Sequence, residues 1–312
     1  MKNRVDLEVS VIKKRYLGWI KKNIGDISLK GKRVALTGST GGLGGEICEY
    51  LAFFGAELIL LDRNRERSEA HAERLKNEYN VGVECISCEL EDISSVDAAC
   101  DALIERKIDI IIHNAGAYSI PRRKCSTGYD NVFMINFLSP YYMTRRLLPH
   151  LSERGGRVVI VGSIAHNYSK TDRSDIDFSE RKAASKVYGN AKRYLMYSMY
   201  ELFRKGKDTE NVTLAVTHPG ITVTNITAHY PKLIYAIIKY PMKLIFMDRK
   251  KAALSILSGA FESCGYCEWI GPRGFDVWGY PKKKRLKTAT AEEREYIGES
   301  ADKLWRELSE HR

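Results

Sequence analysis

Residues 33–44 read Arg33-Val-Ala-Leu-Thr37-Gly38-Ser39-Thr40-Gly41-Gly42-Leu43-Gly44, an apolar run that passes straight into a glycine-rich string and then into a helical pattern. Glycine is needed at such a junction because a side chain would block the tight turn and hold the backbone away from a bound pyrophosphate. The helix start then offers free N–H groups and a favourable dipole to the anion. A glycine-rich string alone is weak evidence, but a strand before it and a helix after it make it a phosphate cradle. Gly38, Ser39, Thr40, Gly42, Leu43 and Gly44 are its candidate contacts.

Outward from this stretch, apolar runs at 33–37, 57–61, 82–86, 108–113, 157–161 and 212–217 alternate with helical patterns near 42–54, 65–79, 93–105, 128–151 and 186–205. Most runs are nearly continuous, as expected of strands buried on both faces. Repeated strand–helix units predict an α/β chain with a Rossmann-like, doubly wound parallel sheet. No repeat or low-complexity linker divides it. The expected organisation is an amphipathic extension over 1–30, a catalytic dinucleotide-binding domain over 31–280 with a substrate lid at about 225–262, and a basic stretch with a C-terminal helix over 281–312.

Composition narrows the class. The 312 residues are 44% hydrophobic and 29% charged, too apolar for a disordered chain and ample for a core. The net charge of +11 suits an anionic cofactor, an anionic membrane surface or nucleic acid. No signal peptide and no uninterrupted apolar run of roughly 18 residues is visible. Seven cysteines do not suggest a disulfide framework, so a reducing cytoplasm is expected. Val5, Val9, Ile12, Tyr16, Trp19 and Ile20 draw an apolar stripe on an N-terminal helix, which either packs on its own domain or meets a membrane or a second copy.

The second strand ends at Leu61-Asp62-Arg63, and Asp62 lies 18 residues past Gly44. A carboxylate near that spacing meets adenosine ribose hydroxyls and repels the additional phosphate of NADP. Arg63 pulls the other way, since a guanidinium can bind that phosphate. NAD is favoured, with NADP left open by Arg63.

The pattern now resembles the short-chain dehydrogenase/reductase family. Thr37–Gly44 matches its TGxxxGxG motif, and His113-Asn114-Ala115-Gly116 resembles its NNAG segment with His for the first Asn. The resemblance implies that Asn114, Ala115 and Gly116 border the adenine side and that Glu89, with Leu90, stands where an Asp usually faces the adenine ring. Pro219-Gly220-Ile221-Thr222-Val223-Thr224 resembles PGxVxT, implying nicotinamide carboxamide contacts at Pro219, Gly220, Ile221 and Thr224.

Three Tyr-x-x-x-Lys pairs occur, and only Tyr188…Lys192 both follows a strand-end serine, Ser163, and opens a long helix. The spacing puts phenol and ammonium one helical turn apart. Hydride transfer at a carbon requires a proton to leave or reach its oxygen. Tyr188 is the candidate acid/base, its phenolate favoured by Lys192, and Ser163 would hydrogen-bond the developing alkoxide. The resemblance adds a ribose contact for Lys192 and a water-holding role for Asn136, whose plain alternative is a buried, hydrogen-bonded amide. The expected activity is NAD(P)-dependent interconversion of an alcohol and its aldehyde or ketone; the rival is a non-catalytic dinucleotide-binding redox sensor or scaffold.

The polar insert 166–185, Gly162-Ser163-Ile164-Ala165-His166 and Ile270–Phe275 resemble the subgroup around retinol dehydrogenases and WW-domain-containing oxidoreductases. The apolar run 226–247 suggests a lipophilic substrate, with a membrane contact or a core-completing helix as alternatives. Family members are commonly oligomers, which implies a homo-oligomer. Cys85/Cys88 and Cys264/Cys267 have zinc-knuckle spacing, but residues three apart on a strand point to opposite faces, so no metal is expected. The basic run Lys282–Lys287 reads as a solvated face, and no nucleic-acid partner is expected.

Overall fold

A computed structural model describes residues 12–206, 209–222, 247–286 and 288–310. In chain order these form α1 (Lys14–Asn23), β1 (Arg33–Thr37), α2 (Gly42–Phe53), β2 (Glu57–Asp62), α3 (Arg65–Tyr79), β3 (Val83–Ser87), α4 (Ile93–Glu105) and β4 (Ile110–His113). A helix in three stretches follows, Asn131–Phe133, a π turn Met134–Leu138 and Ser139–Glu153, together called α5. Then come β5 (Arg157–Val161), α6 (Ala184–Lys205), β6 (Thr213–Thr217), α7 (Arg249–Phe261), β7 (Glu268–Gly274), β8 (Trp278–Arg285) and α8 (Ala291–Glu310).

One sheet runs β3-β2-β1-β4-β5-β6-β7-β8, parallel except for the antiparallel β7–β8 pair. Alternate strand residues feed two separate cores. Ala35, Ile111, Val158 and Ile160 join one with α4, α5, α6 and α8; Val34, Leu36, Ile110, Ile112 and Val159 join the other with α1, α2, α3 and α7. Burial on both faces is why these strands read as continuous apolar runs. The order reverses between β1 and β4, opening a crevice at their carboxyl ends where ligands of doubly wound sheets bind.

The apolar stripe of α1 faces its own domain: Ile12, Tyr16 and Ile20 are buried, and Trp19 stacks on Tyr280 at 5.4 Å. Val5 and Val9 lie outside the described residues, as does 223–246 of the expected lid. The remainder of that lid corrects the reading. Helix α7 is a core element, with Ala252, Ala253, Leu254, Ile256 and Leu257 fully buried, because its small and aliphatic side chains fill the space between α2 and the sheet. Cys85 packs against one core and Cys88 lies in the other. Among the described residues no group of His, Cys, Asp or Glu could hold a metal, and no helix is long and apolar enough to cross a membrane.

Candidate active site

Glycine in the cradle is dictated by contact. A Cβ on Gly44 would stand 2.0 Å from the Gly38 carbonyl oxygen, and Gly38 combines φ of +73° with the Ala115 Cα only 3.0 Å from its Cβ position. A cradle shaped by these absent Cβ atoms leaves the backbone accessible, as a dinucleotide pyrophosphate requires. Asn114 ties the neighbouring strand ends together: its Nδ2 donates to the carbonyls of Thr37 and Gly38, both at 3.0 Å. The Thr37 hydroxyl accepts from the Asn114 and Ala115 N–H groups, at 3.1 Å each.

Asp62 is buried at the end of β2. Its Oδ2 accepts from Ser39 Oγ at 2.5 Å and Ser68 Oγ at 3.0 Å. Its Oδ1 accepts from Thr40 N at 3.2 Å and Thr40 Oγ1 at 3.1 Å. Four donors fill the roughly four acceptor positions of a carboxylate. Sequence spacing aims Asp62 at a ribose, whereas the folded chain turns it onto the cradle. Arg63 is exposed beside it. After β3, Glu89 Oε1 accepts from Glu91 N at 3.4 Å, and the Leu90 carbonyl is fixed by Ser139 Oγ at 2.6 Å. Leu43 is half-buried on the first turn of α2.

Ser163, Tyr188 and Lys192 converge at the end of β5. Ser163 neighbours Tyr188 closely enough to act on its phenol, and Lys192 Nζ lies 5.8 Å from the Tyr188 ring centre. Burial pushes the phenol up to about 12, with the Ser163 side chain pulling it back. The Lys192 ammonium is turned away, donating to the Val161 carbonyl at 2.8 Å, and burial pushes its own pKa down to about 8.

Asn136 sits in the π turn, a distortion that recurs at functional sites. Its Nδ2 donates to the carbonyls of Ala117 and Val132, each at 2.9 Å, and its Oδ1 accepts from Ala117 N at 3.2 Å. Gly116 separates it from Lys192: a Cβ there would lie 2.9 Å from Asn136 Oδ1 and 3.6 Å from Lys192 Nζ. The amide is therefore a buried, backbone-bonded group next to the lysine.

Gly220 has φ of +80°, and a Cβ would stand 2.6 Å from the Val277 carbonyl oxygen, so Pro219-Gly220-Ile221 runs against the β7–β8 turn. The Ile221 N–H donates to Val277 O at 3.1 Å, and Ile221 O accepts from Met247 N at 2.9 Å. The Ile221 N–H is thus committed to the β7–β8 turn. Thr224 lies outside the described residues.

Sequence reasoning missed Tyr118, whose ring meets Tyr188 edge-on at 5.3 Å. It also missed the apolar group of Ile120, Val132, Phe178 and Val187 packed beside Tyr188. Phe178 comes from the insert, which Arg122 fixes by donating to the carbonyls of Phe178 at 2.8 Å and Arg181 at 2.6 Å. No periodicity marks such residues, because they meet only through loop contacts.

Residues 32–232 match the profile of the family described as short chain dehydrogenase. Human retinol dehydrogenase 14 is 31% identical over 218 residues, covering 64% of this chain and 65% of that protein. Human polyprenol dehydrogenase is 30% identical over 207 residues, 63% of each chain. The chain's match therefore spans slightly less than two thirds of these relatives' length. Among solved structures, an uncharacterised protein from Mycobacterium paratuberculosis superposes with a TM-score of 0.72 at 24% identity, over 91% of this chain and 95% of that one. A short-chain dehydrogenase from Sphingobium yanoikuyae in complex with NADPH superposes with a TM-score of 0.57 at 22% identity, over 73% and 83%.

Proposed function

The chain belongs to the short-chain dehydrogenase family, and on that premise we propose that it is an NAD(P)-dependent oxidoreductase interconverting a lipophilic alcohol with its aldehyde or ketone. The observation that carries this reading is the convergence of Tyr188 and Lys192, one turn apart on α6, with Ser163 at the end of β5, at the sheet edge that also bears the cradle. The nicotinamide supplies the hydride acceptor or donor. Tyr188, held protonated by burial, gives its proton to a carbonyl oxygen in reduction and takes it back in oxidation. Ser163 holds that same oxygen through its hydroxyl. Lys192, beside the ring, binds the cofactor's ribose.

Lipophilicity of the substrate is supported by Tyr118, Ile120 and Phe178 around the phenol, and by relatives named for retinol and polyprenol. We favour NAD, because the Asp62 charge next to the adenosine end repels an additional phosphate; NADPH in the Sphingobium structure belongs to that protein. Self-association, where it occurs, uses a surface other than the α5–α6 face, which the chain's own α8 covers with Ile297, Ala301, Leu304 and Leu308. A redox sensor would have no use for a phenol acid/base.

The test is turnover of retinoid, polyprenol and steroid alcohols and ketones, each with NAD(H) and NADP(H), followed at the nicotinamide absorbance. Activity on the lipophilic members that vanishes in Tyr188→Phe supports the proposal. NADH binding with no turnover across the panel would favour the sensor.

A further inference from the structure

The geometry points to Arg249 as a phosphate ligand of the dinucleotide, supplied by α7 from outside the glycine-rich string. This rests on the nicotinamide-cofactor reading above. Gly42 opens α2, and a Cβ built on it would stand 2.7 Å from Arg249 Nη1, 2.8 Å from Cζ and 3.1 Å from Nε. The guanidinium therefore lies over the first turn of α2, where the cradle presents backbone N–H groups to an anion. Gly42 and Arg249 are both exposed, so the guanidinium packs on the Gly42 α-carbon at a surface that an anion can reach.

Charge balance gives the arrangement its purpose. Residues 37–44 contain no lysine or arginine, and a helix N-terminus contributes only about half a positive charge. A dinucleotide pyrophosphate carries two negative charges, so the cradle by itself leaves most of that charge uncompensated. A guanidinium with its planar fork of donors is the group that pairs with phosphate oxygens two at a time.

Arg249 is also held in register from both sides. Before it, Asp248 caps α7 by accepting from Lys250 N at 3.0 Å. The other Asp248 oxygen accepts from Lys13 Nζ at 2.6 Å and Tyr16 Oη at 3.0 Å, tying it to α1. After it, Lys250 pairs with Glu49 of α2 at 3.4 Å, and its carbonyl accepts from Tyr50 Oη at 3.1 Å. The N-terminal helix thus acquires a role: with α2 it fixes the start of α7, and with it the cation over the cradle.

Binding of NADH, and its displacement by ADP-ribose or by adenosine, would be measured for the intact chain, Arg249→Gln and Arg249→Lys. Loss of a charge-assisted phosphate contact predicts about ten- to hundredfold weaker NADH and ADP-ribose binding in Arg249→Gln. Adenosine binding should be unchanged, and Arg249→Lys should recover part of the loss. Unchanged ADP-ribose affinity in Arg249→Gln overturns the assignment. Equal weakening of adenosine also overturns it, because a purely structural disturbance does that. Should Arg249→Gln not fold, Arg249→Lys binding ADP-ribose as weakly as it binds adenosine, or no more steeply with salt, overturns it as well. If the unaltered chain binds neither NADH nor NADPH, the cofactor reading itself fails, a result distinct from the others.

Discussion

Tyr188 and Lys192 are shifted by the same burial in opposite senses, because burial disfavours whichever form carries charge. The phenol goes up to about 12 and the ammonium down to about 8. On the proposed reading Tyr188 carries the proton to and from the reacting oxygen, so in Tyr188→Phe turnover should fall at least a hundredfold while NADH affinity stays within a few-fold. A mutant retaining normal turnover would overturn the assignment. Lys192 holds its proton more weakly folded than unfolded, so its burial opposes folding fully below pH 8, and the penalty is relieved as pH rises from 8 towards 10.5. Lys192→Met should therefore raise stability at pH 7, on the order of 1–3 kcal/mol, while abolishing activity; urea titration with an activity assay checks both. Asp62 is engaged by four donors on or near the cradle, so Asp62→Ala should weaken NADH and NADPH binding together. A gain for NADPH with a loss for NADH would mean that the carboxylate serves the ribose rather than the cradle.

At the scale of elements, α6 is joined to α8 by a buried ion pair. Arg193 Nε and Nη2 meet the two oxygens of Glu293 at 2.8 and 2.5 Å. The same guanidinium donates to His166 O at 3.0 Å and Thr288 O at 2.7 Å. Removing one partner of such a pair leaves a buried charge uncompensated, so Arg193→Met should cost about 3–5 kcal/mol in urea unfolding. A loss below 1 kcal/mol would show that the pair is solvent-relaxed. Strands β1 to β6 were legible because apolar β-branched runs end at turn signals. The β7–β8 pair was not: Gly271, Pro272, Gly274 and Pro281 look like turns, and Lys282–Arg285 like a solvated charge run. Such residues are acceptable because β8 is the edge strand and β7 pairs with β6 only at Ile270, leaving 271–274 beyond it; an edge tolerates proline and uses lysine to discourage further pairing.

Across the molecule, three histidines buried among the described residues shape the response to acid. Burial pushes His113 down to about 3 and His166 and His218 down to about 4. Each binds a proton less readily folded than unfolded, so the stability they allow is complete above pH 6.5 and is lost as pH falls from 6.5 towards 4. The melting temperature should drop steeply through that window, and a flat profile from 6.5 to 4 would contradict the burial. His166 and His218 flank Trp269, with ring centres 5.4 and 4.9 Å from it, and His166 Nδ1 lies 2.6 Å from the Ser163 carbonyl oxygen. Acid should therefore reach the serine end of the site before the cradle.

The sequence by itself determined the six parallel strands β1 to β6, the cradle and the position of Tyr188 and Lys192 on one helix face. Those features are local: a glycine string, a two-residue or four-residue period and a strand-end serine need no distant partner to be recognised. Only the tertiary structure decided that Asp62 turns onto the cradle, that α7 is core rather than lid, that Tyr118 and Phe178 border the phenol, and that Arg249 lies over Gly42. Those features depend on contacts between residues up to more than 200 positions apart. Such contacts follow from packing and charge balance in three dimensions, for which the chain carries no periodic mark.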